Sequence, residues 1–133
     1  MNTNIINLLL KIKNATTNQK EIVTINFNSI YLDLLKKLYK EGFIQFFKIQ
    51  KNIGSSKNSF KIIINLRYLY GKPVFDNLKI FSTPSNVKYL KLKNIYKLTN
   101  KKTVFFFFTN KGLLTDFECK KKKTGGILLF GCY

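Results

Sequence analysis

The sequence predicts an α+β protein of two small domains: an N-terminal α-β-α-β-β domain over residues 1–69 and a C-terminal domain, mostly β with one short helix, over 70–133. Three observations lead there. A helical stripe of apolar residues opens the chain, at Ile5, Leu8, Leu9 and Ile12. Runs rich in β-branched and aromatic residues make up most of the remainder. A turn glycine and a proline in Tyr70-Gly71-Lys72-Pro73 interrupt the pattern near the middle. A length of 133 residues suits one domain or two small ones.

The elements follow in order. The first helix covers residues 5–14, with Lys11 and Lys13 off its apolar stripe. Residues 21–27 are β-branched and read as a strand. Asn28-Ser29 offers an N-cap. The helix after it runs through Leu32, Leu35, Leu38 and Tyr39, with Asp33 early and Lys36, Lys37 and Lys40 late. Gly42 is its natural stop. Residues 43–49 and 60–67 read as a hairpin joined by a polar loop, 51–59. Past the break, residues 74–81 form one strand, ended by Ser82-Thr83-Pro84-Ser85-Asn86.

Residues 87–92 alternate apolar side chains with lysine and suit an edge strand. Lys101-Lys102-Thr103 is a turn, and the four phenylalanines at 105–108 are expected to be a buried strand that holds the next loop still. Thr115-Asp116-Phe117-Glu118 is a capping box. Acids open this short helix, the lysines at 120–123 close it, and Gly125-Gly126 is expected to stop it. Residues 127–130 are the last buried strand. No internal repeat and no long low-complexity linker is present.

Charge bounds the function. Twenty-four Lys and Arg stand against six acids, a formal net charge of +18. Such a field attracts polyanions: RNA, DNA or an anionic membrane. The basic residues are spread along the chain, so self-repulsion disfavours a compact free monomer and a polyanionic partner relieves it. Apolar residues at 45% suffice for a core. No apolar stretch approaches the roughly 18–20 residues that span a bilayer. The start, Met1-Asn2-Thr3-Asn4, has neither a secretory signal nor the Arg- and Ser-rich look of a transit peptide.

Arg67 is the one arginine, Ala15 the one alanine, and Trp and His are absent. Asn, Ile, Lys, Phe, Leu and Tyr dominate, all with A- and T-rich codons. This suggests an AT-rich coding genome. We expect a protein made inside an organelle, a mitochondrion before a plastid or apicoplast.

Enzyme chemistry finds no foothold. Without His there is no side chain poised for acid–base work near neutral pH. Of the acids Glu21, Asp33, Glu41, Asp76, Asp116 and Glu118, only the last two are close in sequence, and capping explains both. Cys119 and Cys132 lack partners for a metal site and read as small buried thiols. No Walker spacing surrounds Gly125-Gly126, so no cofactor site is expected. The phenylalanine run is too short for membrane insertion, and no amphipathic helix adjoins it.

RNA binding remains. Lysines interleaved with tyrosine and phenylalanine supply phosphate contacts. Specificity needs short polar side chains and backbone groups close to base edges or sugars. Thr109-Asn110-Lys111-Gly112 supplies them, and Lys88 lies on a strand able to face RNA. An ordinary hairpin turn is the plainer reading of the same four residues.

Several blocks, in order, give the whole chain a family resemblance. They are Ile5-Ile6-Asn7-Leu8-Leu9-Leu10-Lys11-Ile12-Lys13-Asn14-Ala15, Leu38-Tyr39-Lys40-Glu41-Gly42-Phe43-Ile44, Leu66-Arg67-Tyr68, Gly71-Lys72-Pro73, Ser82-Thr83-Pro84 with Tyr89, Thr109-Asn110-Lys111-Gly112-Leu113-Leu114-Thr115-Asp116, and Gly125-Gly126. With them the chain resembles the eighth protein of the small ribosomal subunit, bacterial and organellar type. The resemblance implies a two-domain α+β protein that binds central-domain small-subunit rRNA directly, assists assembly and meets neighbouring ribosomal proteins. It implies no catalysis. Carried over by position, Thr109, Asn110, Lys111 and Gly112 meet RNA, with Thr115, Gly125 and Gly126 in the same motifs. Lys11, Lys13 and Asn14 add backbone contacts. Phe108 and Asn110 depart from the family, which usually has serine at both positions. The alternatives are a basic RNA-binding or assembly factor outside the ribosome, and a basic protein of a membrane surface.

Overall fold

The computed structural model describes residues 3–54, 59–75, 77–98 and 102–132. Ser55 and Ser56 of the expected 51–59 loop, and Lys101 of the expected turn, lie outside them. The chain is α+β and forms two compact units, Asn7–Asp76 and Asn77–Tyr133 with Met1–Ile6. Among the described residues no helix is long and apolar enough to cross a membrane.

The first unit has the expected order: α1 (Thr3–Thr17) from Asn7 on, β1 (Ile22–Asn26), α2 (Ser29–Lys40), β2 (Ile44–Lys51) and β3 (Phe60–Leu66). The strands form an antiparallel sheet in the order β1-β3-β2. Register sets which side chains are buried. Val23 faces Ile64 and Ile25 faces Ile62, and all four are buried on one face. On α2, Leu34, Leu35 and Leu38 are fully buried; on α1, so are Leu8, Leu9 and Ile12. Both stripes follow the helical period.

Local chemistry sets the ends of α2. The Asn28 side chain accepts from the Ile30 N–H at 3.2 Å. Gly42 follows the helix at φ +82°, a conformation glycine adopts without a Cβ penalty. Arg67 donates to its carbonyl at 3.1 Å, so the one arginine braces a helix end. A two-residue hairpin then pairs β4 (Tyr68–Leu69) with β5 (Lys72–Pro73). Tyr70 and Gly71 both have positive φ there, as a type I′ turn requires.

The expected strand over 74–81 is a correction. Among the described residues of that span, only β6 (Leu78–Ile80) is a strand. Phe75 is instead buried against Phe43, ring edge to face, at 5.9 Å. A long-range aromatic contact overrides the local β preference.

The second unit adds β7 (Tyr89–Leu90), α3 (Leu92–Lys97), β8 (Val104–Thr109), β9 (Gly112–Thr115), α4 (Asp116–Lys122) and β10 (Gly126–Cys132). Its sheet runs β6-β10-β8-β9, with β7 also on β10. Helix α3 corrects the strand expected over 87–92, of which only β7 forms. Its signal lay in Leu92, Ile95 and Tyr96, spaced i, i+3, i+4. Ile95 is fully buried with Phe105, Phe107, Leu114, Cys119 and Leu128, so α3 and α4 cover this face of the sheet.

The phenylalanine strand forms, but one of its four rings is not buried. Phe105, Phe106 and Phe107 are buried, while Phe108 is 47% exposed. Phe105 and Phe107 point at the helices. On the opposite face Phe106 stacks on Phe130, centroids 4.6 Å apart. A register shift between Leu128 and Phe130 brings that pair level. Phe108, on the same face as Phe106, lies beyond the stack.

The end of α4 is also corrected. The capping box holds, with the Thr115 side chain accepting from the Glu118 N–H and Glu118 accepting from the Thr115 N–H, each at 3.3 Å. Gly125-Gly126 does not stop the helix. Lys123 does, at φ 52° and ψ 48°, and the Thr124 N–H turns back to the Cys119 carbonyl at 3.1 Å.

Both thiols are free and buried. Burial pushes Cys119 up to about 11 and raises Cys132 as well. Below the ordinary thiol value of 9.0 both thiols are protonated, folded or unfolded, and stability is at its full level. As pH rises from 9.0 towards about 11, the unfolded thiols ionise and the folded ones do not, so stability falls. Denaturant melts between pH 8 and 11 should show the loss, reduced in Cys119→Ala. A thiol reagent should label the native protein only as fast as it opens.

Candidate nucleic-acid interface

The β8–β9 turn is built from within. Thr109 pairs with Gly112, leaving Asn110 and Lys111 at the tip. Gly112 takes the left-handed conformation at φ +97°, and the two tip residues keep negative φ. The Thr109 hydroxyl donates to the Gly112 carbonyl at 2.9 Å and accepts from the Lys111 N–H at 3.1 Å. Thr109 is itself buried, so its role in this structure is to stiffen the turn. Asn110, Lys111 and Gly112 are exposed. Lys111 Nζ lies 3.5 Å from the Lys122 carbonyl, at the negative end of α4.

The remaining residues of this unit frame the turn. Thr115 is buried and occupied as the cap of α4. Gly126 is seated against β8: a Cβ there would sit 2.6 Å from Thr109 Cγ2 and 2.7 Å from the Phe108 carbonyl oxygen. At Gly125 it would sit 2.8 Å from the Leu90 carbonyl oxygen. The two glycines thus let three strands close on the base of the turn. Lys88 is exposed, with Nζ 5.9 Å from the Phe81 ring centroid.

Ser82 was not among the residues expected to build this region. It is fully buried. Its hydroxyl donates to the Leu128 carbonyl and accepts from the Lys88 N–H at 3.0 Å, while the Leu128 N–H donates to the Lys88 carbonyl at 2.8 Å. One hydroxyl therefore ties the approach to β7 onto β10. The signal was a serine opening a proline-containing turn, which sequence alone assigns to solvent. Ser82→Ala removes one hydrogen bond from the buried Leu128 carbonyl and one from the part-buried Lys88 N–H and should cost about 1–3 kcal/mol. Chemical denaturation of the variant checks this.

In the other unit, Lys11 and Asn14 line one cleft of about 270 Å³ with Lys20 and Asn18. They are three apart on α1 and share a face. Lys13 is not in that cleft; it is exposed, and its carbonyl accepts from the Thr16 and Thr17 hydroxyls at 2.7 and 3.0 Å. Nearby, the Tyr68 hydroxyl donates to the Lys20 carbonyl at 2.5 Å. Burial, then the Glu21 carboxylate, raises its pKa and keeps that donor protonated. Among the described residues no three His, Cys, Asp or Glu side chains gather to hold a metal ion.

The surface is thus lysine-rich, with a braced polar turn. The family described as "Ribosomal protein S8" matches this chain over residues 3–133. Among curated relatives, the small ribosomal subunit protein uS8 of Neorickettsia sennetsu is 30% identical, covering 99% of this chain and 98% of its own. The uS8 of Persephonella marina is 33% identical, covering 97% and 95%. The uS8c of Phaseolus vulgaris is also 33% identical, with the same coverage.

Proposed function

The chain belongs to the ribosomal protein S8 family, a structural family of the small ribosomal subunit and not an enzyme family, and from that premise we propose that it binds small-subunit rRNA directly and assists subunit assembly. The site is in the central domain of that rRNA. The C-terminal domain, 70–133, carries the recognition, and neighbouring small-subunit proteins are further partners. The ribosome is organellar, mitochondrial before plastid, on the strength of an amino-acid composition dominated by residues with A- and T-rich codons.

One observation carries the reading: an exposed Asn110-Lys111 tip held by both hydrogen bonds of a buried threonine hydroxyl. A turn stiffened in advance loses little entropy on binding. Asn110 can donate to and accept from base edges or a 2′-hydroxyl. Lys111, Lys88, Lys11 and Lys13 supply phosphate contacts, and the backbone at Gly112 allows close approach. Asn14 adds an amide beside Lys11. Thr109, Thr115, Gly125 and Gly126 act by holding the tip in place.

The test is a titration against the organelle's central-domain rRNA fragment and a scrambled duplex of equal length, at two salt concentrations. The cognate fragment should be preferred at the higher salt. Asn110→Ala should remove the preference, and Lys111→Ala should lower the salt slope by about 1. Equal, salt-sensitive binding to both RNAs would leave only lysine electrostatics.

A further inference from the structure

The sheet face opposite α3 and α4 presents four side chains in a row. Tyr89 is paired with Ile127, Ile127 with Phe108, and Phe108 with Leu113. Directly paired residues point to the same face of a sheet. Tyr89 is 62% exposed and Phe108 47%, with Ile127 and Leu113 half-buried between and beside them. The hydrophobic core under the helices draws on Phe105, Phe107, Leu114 and Leu128, none of which belongs to the row. Phe106, the other ring of β8 on this face, is already stacked on Phe130.

Resting on the rRNA reading above, we propose that this row is a stacking platform for unpaired RNA bases, with Phe108 as the main seat. Complementarity favours this occupant. The row exposes flat apolar surface in a chain of net charge +18, and its Phe108–Leu113 pair directly adjoins the Thr109–Gly112 turn with its exposed Asn110-Lys111 tip. Single-stranded RNA offers flat π-faces and negative phosphates together. Stacking asks nothing of a base's hydrogen-bonding edge, so a phenylalanine can take it with no hydroxyl. Neighbouring strands lie about 4.8 Å apart, which puts Phe108 and Tyr89 roughly 10 Å apart across Ile127. Each ring therefore receives its own base.

The test uses the full chain and the same rRNA fragment, with 2-aminopurine placed in turn at its unpaired positions. Phe108→Ala, Phe108→Leu and Phe108→Tyr are compared for affinity, probe quenching and melting temperature. Phe108→Ala and Phe108→Leu should each weaken binding about tenfold and release the quenching at one position. Phe108→Tyr should match the parent, and the salt slope should not change, because no phosphate contact is lost. Equal binding by Phe108→Leu would overturn stacking in favour of plain apolar contact. Unchanged affinity in Phe108→Ala, with the cognate fragment still preferred, would overturn the platform and leave the rRNA reading standing. If Phe108→Ala binds RNA normally but fails to enter small subunits, the row is covered by a protein and the proposal falls. No preference by the parent chain itself would remove both readings.

Discussion

Gly126→Ala is expected to destabilise the second unit by about 3 kcal/mol or more, at the upper end of overpacking substitutions. The added methyl would meet the Phe108 carbonyl oxygen at 2.7 Å and Thr109 Cγ2 at 2.6 Å. The oxygen is backbone and cannot rotate away. Relief requires β10 and β8 to part next to Phe108 and Thr109, where the turn begins. The melting temperature should fall by about 10 °C. At a temperature where the variant is still folded, specific RNA binding should fall as well, because Thr109 no longer holds Lys111 and Gly112 in register. Lysine-driven binding to a scrambled duplex should persist. A variant that melts like its parent would mean the strands have slack at this point.

Phe107→Ala carries the other large effect. Phe107 is fully buried, pairs with Leu128 on one side and Leu114 on the other, and belongs to a cluster capped by Ile95 and Cys119. Truncation removes the ring from between two strands and two helices that cannot collapse together. The cost should be about 3–5 kcal/mol. Against a total of roughly 5–15 kcal/mol this leaves the fold marginal. Equilibrium denaturation measures it. Phe108→Ala, one residue on, should by contrast shift the midpoint little, since half its ring is already in water. The pair of variants separates the part of the run that builds the domain from the part that faces outward.

Local chemistry was legible wherever a residue's neighbours in sequence are also its neighbours in space. The α1 stripe, the Asn28 cap, Gly42 at φ +82° and the Thr115–Glu118 capping box depend on contacts within one helical turn. The β2–β3 hairpin has the same character, because its pairing follows from alternation and a polar loop. The Thr109–Gly112 turn could be read in advance as polar and tight. Its hydroxyl being spent inside the turn could not, since a threonine's partner is not encoded in its type.

What the sequence by itself determined was therefore the fold class, the element order of the first unit and the strongly basic charge of the chain. Each follows from composition or short-range periodicity. Tertiary structure alone decided the rest. Four consecutive phenylalanines carry no period, so only the sheet's two differently covered faces could bury three rings and leave Phe108 out. Phe75 left its strand for Phe43, and Ser82 was buried to tie two strands together. Gly125-Gly126, placed to end a helix, were needed instead where three strand backbones close to within a methyl group of each other. In each case a contact between residues far apart in the chain outweighed a local preference worth about 1 kcal/mol or less, because burial of a ring or a backbone hydrogen bond is worth more.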